Sequence, residues 1–226
     1  MKRLCIIPAR GGSKRLPRKN IKLLCGKPLV FYTIDAVLKS KIFDKVIFTS
    51  DDDEILNTVS TNYTLPILET IKRPKKLASD TSKVIDTVVY FADVNYDQTW
   101  LTLPTSPLKT SKDFISSSHL LENKVDSVIS YTEMEFPPTL GLTVGYAKRL
   151  FDYDSTLPWQ NGNSRSQDHP TVYRPNGAIY GSWTNRLLNN KNYYKGIVKG
   201  HFMPRNRSID IDTQFEFDLA EFLMNK

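Results

Sequence analysis

Short apolar runs alternate with segments of helical periodicity along most of this chain. Residues 3–8 (RLCIIP) and 45–49 (KVIFT) each have the character of a buried strand and are each followed by a helical pattern. The pattern predicts further strands at 98–103, 125–131, 177–183, 197–203 and 208–211, and helices at 27–40, 82–92, 111–122 and 213–225. Such alternation with short connections indicates an α/β fold, with a mostly parallel sheet between helices.

Two local features refine this prediction. Ser50 or Asp51 is expected to cap the helix after the second strand, because acidic residues fill its first turn. Residues 132–170 break the alternation with prolines, glycines and polar residues. We interpret the chain as a single domain over 1–226, with 132–170 as an insert that covers a site or pairs with another subunit.

Composition places the chain among soluble globular proteins. It has 226 residues, 40% of them hydrophobic and 24% charged, which is enough for one substantial core. No apolar run reaches the length of a membrane span, and the N-terminal run is too short for a signal peptide, so we expect a cytoplasmic protein. Cys5 lies in an apolar run, which favours a buried free thiol, and no Cys/His set has zinc spacing.

The positive charge is concentrated at one end. Residues 1–34 contain nine Lys or Arg and no acidic residue, whereas the remainder has 22 positive and 24 negative side chains, a net charge of −2. A basic segment can bind a nucleic acid or a small polyanion such as a nucleoside triphosphate. Here the basic residues cluster in one glycine loop with few aromatic residues between them, which favours the triphosphate and argues against nucleic acid.

That loop, Arg10-Gly11-Gly12-Ser13-Lys14, directly follows the first predicted strand. Ligands of open α/β sheets bind beyond the carboxyl ends of the strands. Glycines permit positive φ and close approach of a ligand, and successive N–H groups form an anion cradle. Arg15, Arg18 and Lys19 add charge around it. The spacing matches neither the Walker loop nor the dinucleotide fingerprint, and a solvated basic turn is the alternative interpretation.

A second motif, Ser-Ile-Asp-Ile-Asp-Thr at 208–213, lies near the other end. In a strand Ile209 and Ile211 would point into the core, and Asp210 and Asp212 would share the opposite face. Two adjacent carboxylates repel each other unless a cation lies between them, and Mg²⁺ takes carboxylates together with substrate phosphates. We therefore predict a magnesium site, with an exposed strand edge or a helix cap as the alternative.

Six segments together resemble the acylneuraminate cytidylyltransferase family, which includes the CMP-sialic acid synthetases. These are IIPARGGSKRLPRKN at 6–20 with GKPLVFYTI at 26–34, Arg73-Pro74 with LASDT at 77–81, PTSPLKT at 104–110, YRPNGAIY at 173–180 and SIDIDT at 208–213. They occur in the family's order and span nearly the whole chain.

The resemblance implies a Rossmann-like nucleotidyltransferase fold with a small dimerisation insert, and a homodimer. It implies transfer of the cytidylyl group of CTP to an acidic nine-carbon sugar with Mg²⁺, and neither a nucleic acid nor a membrane as partner. The implied catalytic residues are Arg10, Lys19, Asp210 and Asp212, with the two aspartates also binding Mg²⁺. The implied substrate-binding residues are Gly11, Gly12, Ser13, Lys14 and Asn20 at the phosphates, Arg73, Ala78, Ser79, Asp80 and Ser82 near the nucleotide, and Arg174 and Asn176 around the sugar acid.

The sugar is left open by one departure from the family. Leu103 occupies the position before PTSP where the family usually has a glutamine that helps to hold the sugar acid. N-acetylneuraminate is expected, with legionaminate, pseudaminate and ketodeoxyoctonate as alternatives. A nucleotidyltransferase for a neutral sugar phosphate and a nucleic-acid-binding module are the rival functions.

Overall fold

The computed structural model describes residues 1–79 and 81–226. The chain falls into two units, which we call the main unit (1–131 and 175–226) and the insert unit (132–174).

The helices and strands follow the predicted alternation, with several additional elements. The strands are β1 (Arg3–Pro8), β2 (Leu23–Leu24), β3 (Lys27–Pro28), β4 (Lys45–Ser50), β5 (Leu68–Lys72), β6 (Gln98–Thr102), β7 (Ser127–Glu133), β8 (Leu142–Val144), β9 (Leu150–Asp152), β10 (Tyr173–Trp183) and β11 (Val198–Phe202). The helices are α1 (Leu29–Ser40), α2 (Asp53–Asn62), α3 (Val84–Phe91), α4 (Ser111–Leu120), α5 (Thr184–Asn190) and α6 (Gln214–Met224).

Seven of these strands form one sheet in the order β11-β7-β10-β6-β1-β4-β5. β1 pairs in parallel with both β4 and β6, β5 extends the sheet in parallel beside β4, and β11 is parallel to β7. β10 is antiparallel to β6. The predicted α/β class with a mostly parallel sheet is confirmed.

Successive residues of the central strands point to opposite faces of the sheet, because a strand is pleated, and they therefore join different buried clusters. Cys5 and Ile7 belong to a buried cluster with residues of α1, α2 and α4. Leu4 and Ile6 belong to a second cluster that includes Val88 of α3 and Leu187 of α5. Helices therefore cover both faces of the sheet.

A third cluster joins the two ends of the chain. Leu16, Leu24 and Leu29 pack with Ile211 before α6 and with Phe217 inside it. This packing brings the segment after the glycine loop next to the segment that carries Asp210 and Asp212, although about 190 residues separate them in sequence. The cluster is what allows one site to be built from both termini.

Two local predictions were wrong. The N-cap of α2 is Asp52, whose Oδ1 accepts from the N–H of Ile55 (3.0 Å), because Ser50 still belongs to β4 and its hydroxyl accepts from the Asp52 N–H. Residues 208–211 form no strand. The Ile211 N–H instead donates to the carbonyl of Thr105 (2.8 Å), a loop contact, while Ile211 is buried as expected.

The insert unit contains the antiparallel hairpin of β8 and β9. Trp159 packs within this unit and donates from Nε1 to the carbonyl of Leu140 (3.0 Å). Across the whole described part of the chain, no helix combines the length and the apolar character needed to cross a membrane.

Candidate active site

A cavity of about 400 Å³ opens in the main unit at the carboxyl ends of β1, β5 and β6. This is the edge at which open α/β sheets bind ligands. Its described lining residues are Pro8, Arg10, Ser13, Lys14, Arg15, Leu16, Lys19, Asn20, Arg73, Leu77, Ala78, Ser79, Ser82, Lys83, Val84, Thr87, Leu103, Pro104, Thr105 and Asp212. Six of these carry Lys or Arg side chains and one carries a carboxylate, so the described wall is strongly cationic.

Most of the residues singled out from the sequence meet at this cavity. Those in its lining are Arg10, Ser13, Lys14, Lys19, Asn20, Arg73, Ala78, Ser79, Ser82 and Asp212. Gly11, Gly12, Asp210 and Asn176 are outside the lining, and Arg174 belongs to the insert unit, where it is exposed. Asp80 lies outside the described residues.

The glycine loop is shaped by close packing rather than by positive φ. Neither Gly11 nor Gly12 has a positive φ, contrary to expectation. A Cβ at Gly11 would lie 2.6 Å from Oδ2 of Asp52, whereas one at Gly12 would meet nothing within 4 Å. Gly11 is therefore required because the loop lies directly on the start of α2.

Two of the backbone N–H groups of the predicted cradle have partners inside the protein. The Gly11 N–H donates to Oδ1 of Asp51 (3.1 Å), and the Ser13 N–H donates to the carbonyl of Gly11 (2.9 Å). Arg18, expected among the surrounding cations, instead binds Asp52 (2.6 Å) and Glu54. These contacts hold the loop against the start of α2.

Lys19 connects the two ends of the chain. Its side chain is about one-tenth exposed, and Nζ donates to the carbonyl of Ile211 (2.6 Å) and to Oδ1 of Asp212 (3.1 Å). Arg15 reaches the other carboxylate oxygen of Asp212 at 2.8 Å. The segment from 10 to 20 and Asp212 therefore face one cavity, as the joint assignment of both motifs to one site implies.

Arg73 is the most buried cation of the lining, at 5% exposure. Its Nη2 is 3.4 Å from Oδ1 of Asp51, its Nη1 is 3.4 Å from Oγ1 of Thr87, and its Nε has no partner among the described residues. Burial lowers the pKa of Arg73, and the nearby Asp51 carboxylate only partly offsets this. A buried guanidinium with long, incomplete hydrogen bonds can accept an anion without breaking a strong ion pair.

Asp210 is partly buried and lies close to Asp212. Burial raises the pKa of Asp210, the nearby Asp212 carboxylate adds to that rise, and a hydrogen bond from Thr105 opposes it. The carboxylate approaches Gly177, where a Cβ would lie 3.5 Å from Oδ2 and where φ is +76°. Asp210 and Asp212 are therefore close enough to interact, without the strand geometry predicted for them.

Two of the predicted substrate-binding amides are engaged inside the protein. Asn20 donates from Nδ2 to the carbonyl of Arg10 (2.8 Å), which supports the loop. Asn176 is 1% exposed, donates to Ser208 (2.9 Å) and accepts from Ser130 (2.6 Å). The structure gives both residues roles in holding their surroundings.

Sequence reasoning missed several residues of the lining. Thr105 follows β6, and Lys83 and Thr87 lie at the beginning of α3. Thr105 lies within PTSPLKT, so the motif was a usable signal for it. Nothing in the local pattern of α3 distinguishes a cavity-lining residue from a surface one.

The comparisons with known proteins agree with this geometry. Residues 4–179 match the family model described as cytidylyltransferase. The pseudaminic acid cytidylyltransferase of Campylobacter jejuni is 34% identical, over 99% of this chain and 96% of its own length. The N-acylneuraminate cytidylyltransferase of Streptococcus agalactiae is also 34% identical, over 96% of this chain but 52% of its own length.

A solved structure shares the fold at low identity. CMP:2-keto-3-deoxy-manno-octonic acid synthetase, complexed with CTP, superposes with a TM-score of 0.73 at 17% identity, covering 100% of this chain and 99% of its own.

Proposed function

Because this chain belongs to the cytidylyltransferase family, we propose that it transfers the cytidylyl group of CTP to an acidic nonulosonate sugar and releases pyrophosphate. One observation carries the proposal. The cavity at the carboxyl ends of the strands has six Lys or Arg side chains and one carboxylate in its described lining. That imbalance suits the four negative charges of a nucleoside triphosphate.

The class of sugar rests on the relatives. Two of them are named for pseudaminic acid and for an N-acylneuraminate, and both are acidic sugars. We propose that Arg174 pairs with the sugar carboxylate, because a guanidinium matches a carboxylate in a bidentate way. Leu103 lines the cavity where the family usually has glutamine, so one hydrogen bond to the sugar acid is replaced by an apolar contact.

In the proposed reaction the anomeric hydroxyl oxygen attacks the α-phosphorus of CTP. The bond from that phosphorus to the oxygen leading to the β-phosphorus breaks, pyrophosphate leaves with the electron pair, and the proton of the hydroxyl passes to solvent water. Transfers of this type depend mostly on positioning and on neutralising charge. Arg10, Lys14 and Lys19 neutralise the phosphates, and Arg73 offers a buried guanidinium with spare hydrogen-bonding capacity.

Asp210 and Asp212 fit the binding of Mg²⁺. The described residues assemble no group of three or more His, Cys, Asp or Glu that could hold a metal. Mg²⁺ in nucleotide sites commonly takes one or two carboxylates and completes its shell with phosphates and water. A bound Mg²⁺ would supply charge neutralisation and polarise an oxygen ligand. Burial and the Asp212 carboxylate raise the pKa of Asp210, and a cation bound to the two carboxylates would oppose both effects.

We propose that the working form is a homodimer built through the insert unit. The hairpin of that unit exposes Leu142, Val144, Tyr146, Leu150 and Phe151 to solvent. Contiguous exposed apolar side chains of this kind mark association surfaces. A second copy of the chain is the occupant that the family resemblance implies.

The experiment is incubation of the purified chain with CTP, Mg²⁺ and one sugar at a time. The panel contains N-acetylneuraminate, pseudaminate, legionaminate and ketodeoxyoctonate, with mass spectrometry for the CMP-sugar and a separate assay for pyrophosphate. We expect one CMP-nonulosonate with equal pyrophosphate. Parallel reactions with ATP, GTP and UTP, and with a chelator, test the nucleotide and the metal. Turnover of none of the three nonulosonates, including turnover of ketodeoxyoctonate alone, or equal turnover with every nucleotide, would refute the proposal.

A further inference from the structure

Lys109 is a buried cation that the proposed reaction does not use. It is 3% exposed, in the loop between β6 and α4. Its Nζ donates three hydrogen bonds of 2.7 Å each, to Oγ1 of Thr33 and to the carbonyls of Leu103 and Ser106. Every donor of an ammonium group is therefore used, and none of the three acceptors carries a charge.

The geometry indicates the charged form of the side chain. The Thr33 hydroxyl donates towards the carbonyl of Leu103 (3.4 Å), so it accepts from Lys109. Three acceptors require three N–H donors, which a neutral amine does not have. Burial lowers the pKa of Lys109 to about 7, while the Asp210 carboxylate opposes this effect. The three short bonds and the nearby acid therefore offset part of the desolvation cost of the ammonium group.

The bonds from Lys109 fix one wall of the cavity. The carbonyls of Leu103 and Ser106 flank Pro104 and Thr105, and residues 103–105 all line the cavity. A single ammonium group clamps both ends of this short loop and anchors it to α1 through Thr33. An apolar side chain at 109 would avoid the desolvation cost but would leave both carbonyls without that donor.

The clamped loop in turn holds the acidic segment. The carbonyl of Thr105 accepts from the Ile211 N–H (2.8 Å), and the Thr105 side chain hydrogen-bonds Asp210 and lowers its pKa. The next residue, Asp212, pairs with Lys19 (3.1 Å). A continuous set of contacts therefore runs from Lys109 through Thr105 to both aspartates.

We propose that Lys109 is a positioning residue for cytidylyl transfer: it fixes the Leu103–Ser106 loop so that Thr105 holds Asp210 and Asp212 at the cavity. This inference rests on the proposed function for its effect on turnover. Its structural half, the immobilisation of the 208–213 segment, does not depend on any substrate.

The test compares Lys109→Met, which keeps length and removes charge and donors, with Lys109→Arg, which restores both. Lys112→Met is the matched control, because Lys112 is exposed on the adjacent first turn of α4. The measurements are kcat, KM for CTP, and hydrogen exchange of the peptide containing Ile211 without substrate. For Lys109→Met we expect a loss of about 10- to 100-fold in kcat, a KM for CTP near the wild-type value, and roughly tenfold faster exchange at Ile211.

Lys109→Arg should recover most of both properties, and Lys112→Met should match the wild type. A folded Lys109→Met protein with wild-type kcat, or with unchanged exchange at Ile211, would overturn the inference. Should Lys109→Met not fold, Thr105→Val removes the hydroxyl bond to Asp210 and keeps the carbonyl bond to Ile211, and it must lower kcat with little change in KM for CTP. If the wild type makes no CMP-sugar, the proposed function is wrong. The exchange measurement still tests whether Lys109 immobilises the 208–213 segment.

Discussion

The main unit and the insert unit differ in how completely they bury their apolar side chains. The main unit buries three clusters, one on each face of the sheet and one that joins its two termini. The hairpin of the insert unit leaves Val144, Tyr146 and Leu150 between 62% and 94% exposed. A two-stranded hairpin is too small to bury such side chains alone. The main unit is therefore a self-sufficient scaffold for a site, while the insert unit presents a surface that another molecule can complete.

The polar residues follow the same division. Asp113 in the main unit is 4% exposed and receives hydrogen bonds from Arg207 (2.7 and 3.1 Å), His201 (3.1 Å) and Thr110 (2.7 and 2.8 Å). Asp154 in the insert unit is half-buried, and its carboxylate accepts from the backbone N–H and the hydroxyl of Thr156 alone among the hydrogen bonds described for it. Substitutions of such polar residues should therefore lower the free energy of unfolding strongly in the main unit and only slightly in the insert unit.

The largest effect is expected for Asp113→Asn, at about 2–3 kcal/mol of unfolding free energy at pH 7, because it removes the charge of a buried acceptor that binds His201 and the partly exposed Arg207. Burial alone would raise the pKa of Asp113, but the bonds from His201, Arg207 and Thr110 outweigh it and lower the pKa. A lowered pKa stabilises the fold above the unfolded value near 4, and this contribution disappears as the pH falls through the folded value.

Chemical denaturation of the two proteins between pH 7 and pH 3 checks this prediction. The difference in unfolding free energy should shrink below about pH 4. Asp154→Asn is the matched control from the insert unit and should leave stability unchanged. Equal effects of the two substitutions would remove the contrast between the units.

The second effect concerns turnover. Asp212→Ala removes the partner of Lys19 and Arg15 and one of the two proposed metal ligands, so we expect a loss of about 10²–10³-fold in kcat with the fold intact. The measurement is the rate of CMP-sugar formation at saturating CTP and Mg²⁺, with circular dichroism to confirm folding. Asp53→Ala, at an exposed position of α2, serves as control. Near-normal turnover of Asp212→Ala would contradict both assigned roles.

The third effect compares two adjacent glycines. Gly11→Ala places a Cβ 2.6 Å from Asp52, which is held by Arg18, so the loop must shift at a cost of about 1–3 kcal/mol. Gly12→Ala meets nothing within 4 Å and should be close to neutral. Thermal unfolding and KM for CTP should both change in the first variant only. Equal behaviour of the two variants would mean that the loop is not packed on α2 in solution.

The smallest effect on stability is expected in the insert unit. Tyr146→Ser with Leu150→Ser removes exposed apolar surface, so unfolding free energy should stay within about 0.5 kcal/mol per substitution. Analytical ultracentrifugation should nevertheless show a shift from dimer to monomer. A monomeric wild type, or a variant that remains dimeric, would contradict the proposed role of this hairpin.

Much of the main unit was predictable because its signals are local. The boundaries of β1, β4, α1 and α6 agree with the sequence pattern to within one or two residues. The two additional short hairpins, the edge strand β5 and α5 carry no comparable signal, and they depend on what they pack against. At the site, cation-rich motifs identified most of the lining, whereas Lys109 was hidden inside a motif with no sign of its burial.

The order of strands and helices, the place of the cationic loop after β1 and the burial of Ile211 could all be derived from the residues alone. Those properties follow from periodicity and from the chemistry of neighbouring residues. The cap of α2 depends on where β4 ends, because Ser50 still belongs to that strand and Asp52 is therefore the cap. The loop conformation of 208–211 and the pairing of Lys19 with Asp212 depend on residues far apart in the chain, which are brought together by the burial of whole clusters that no local pattern encodes.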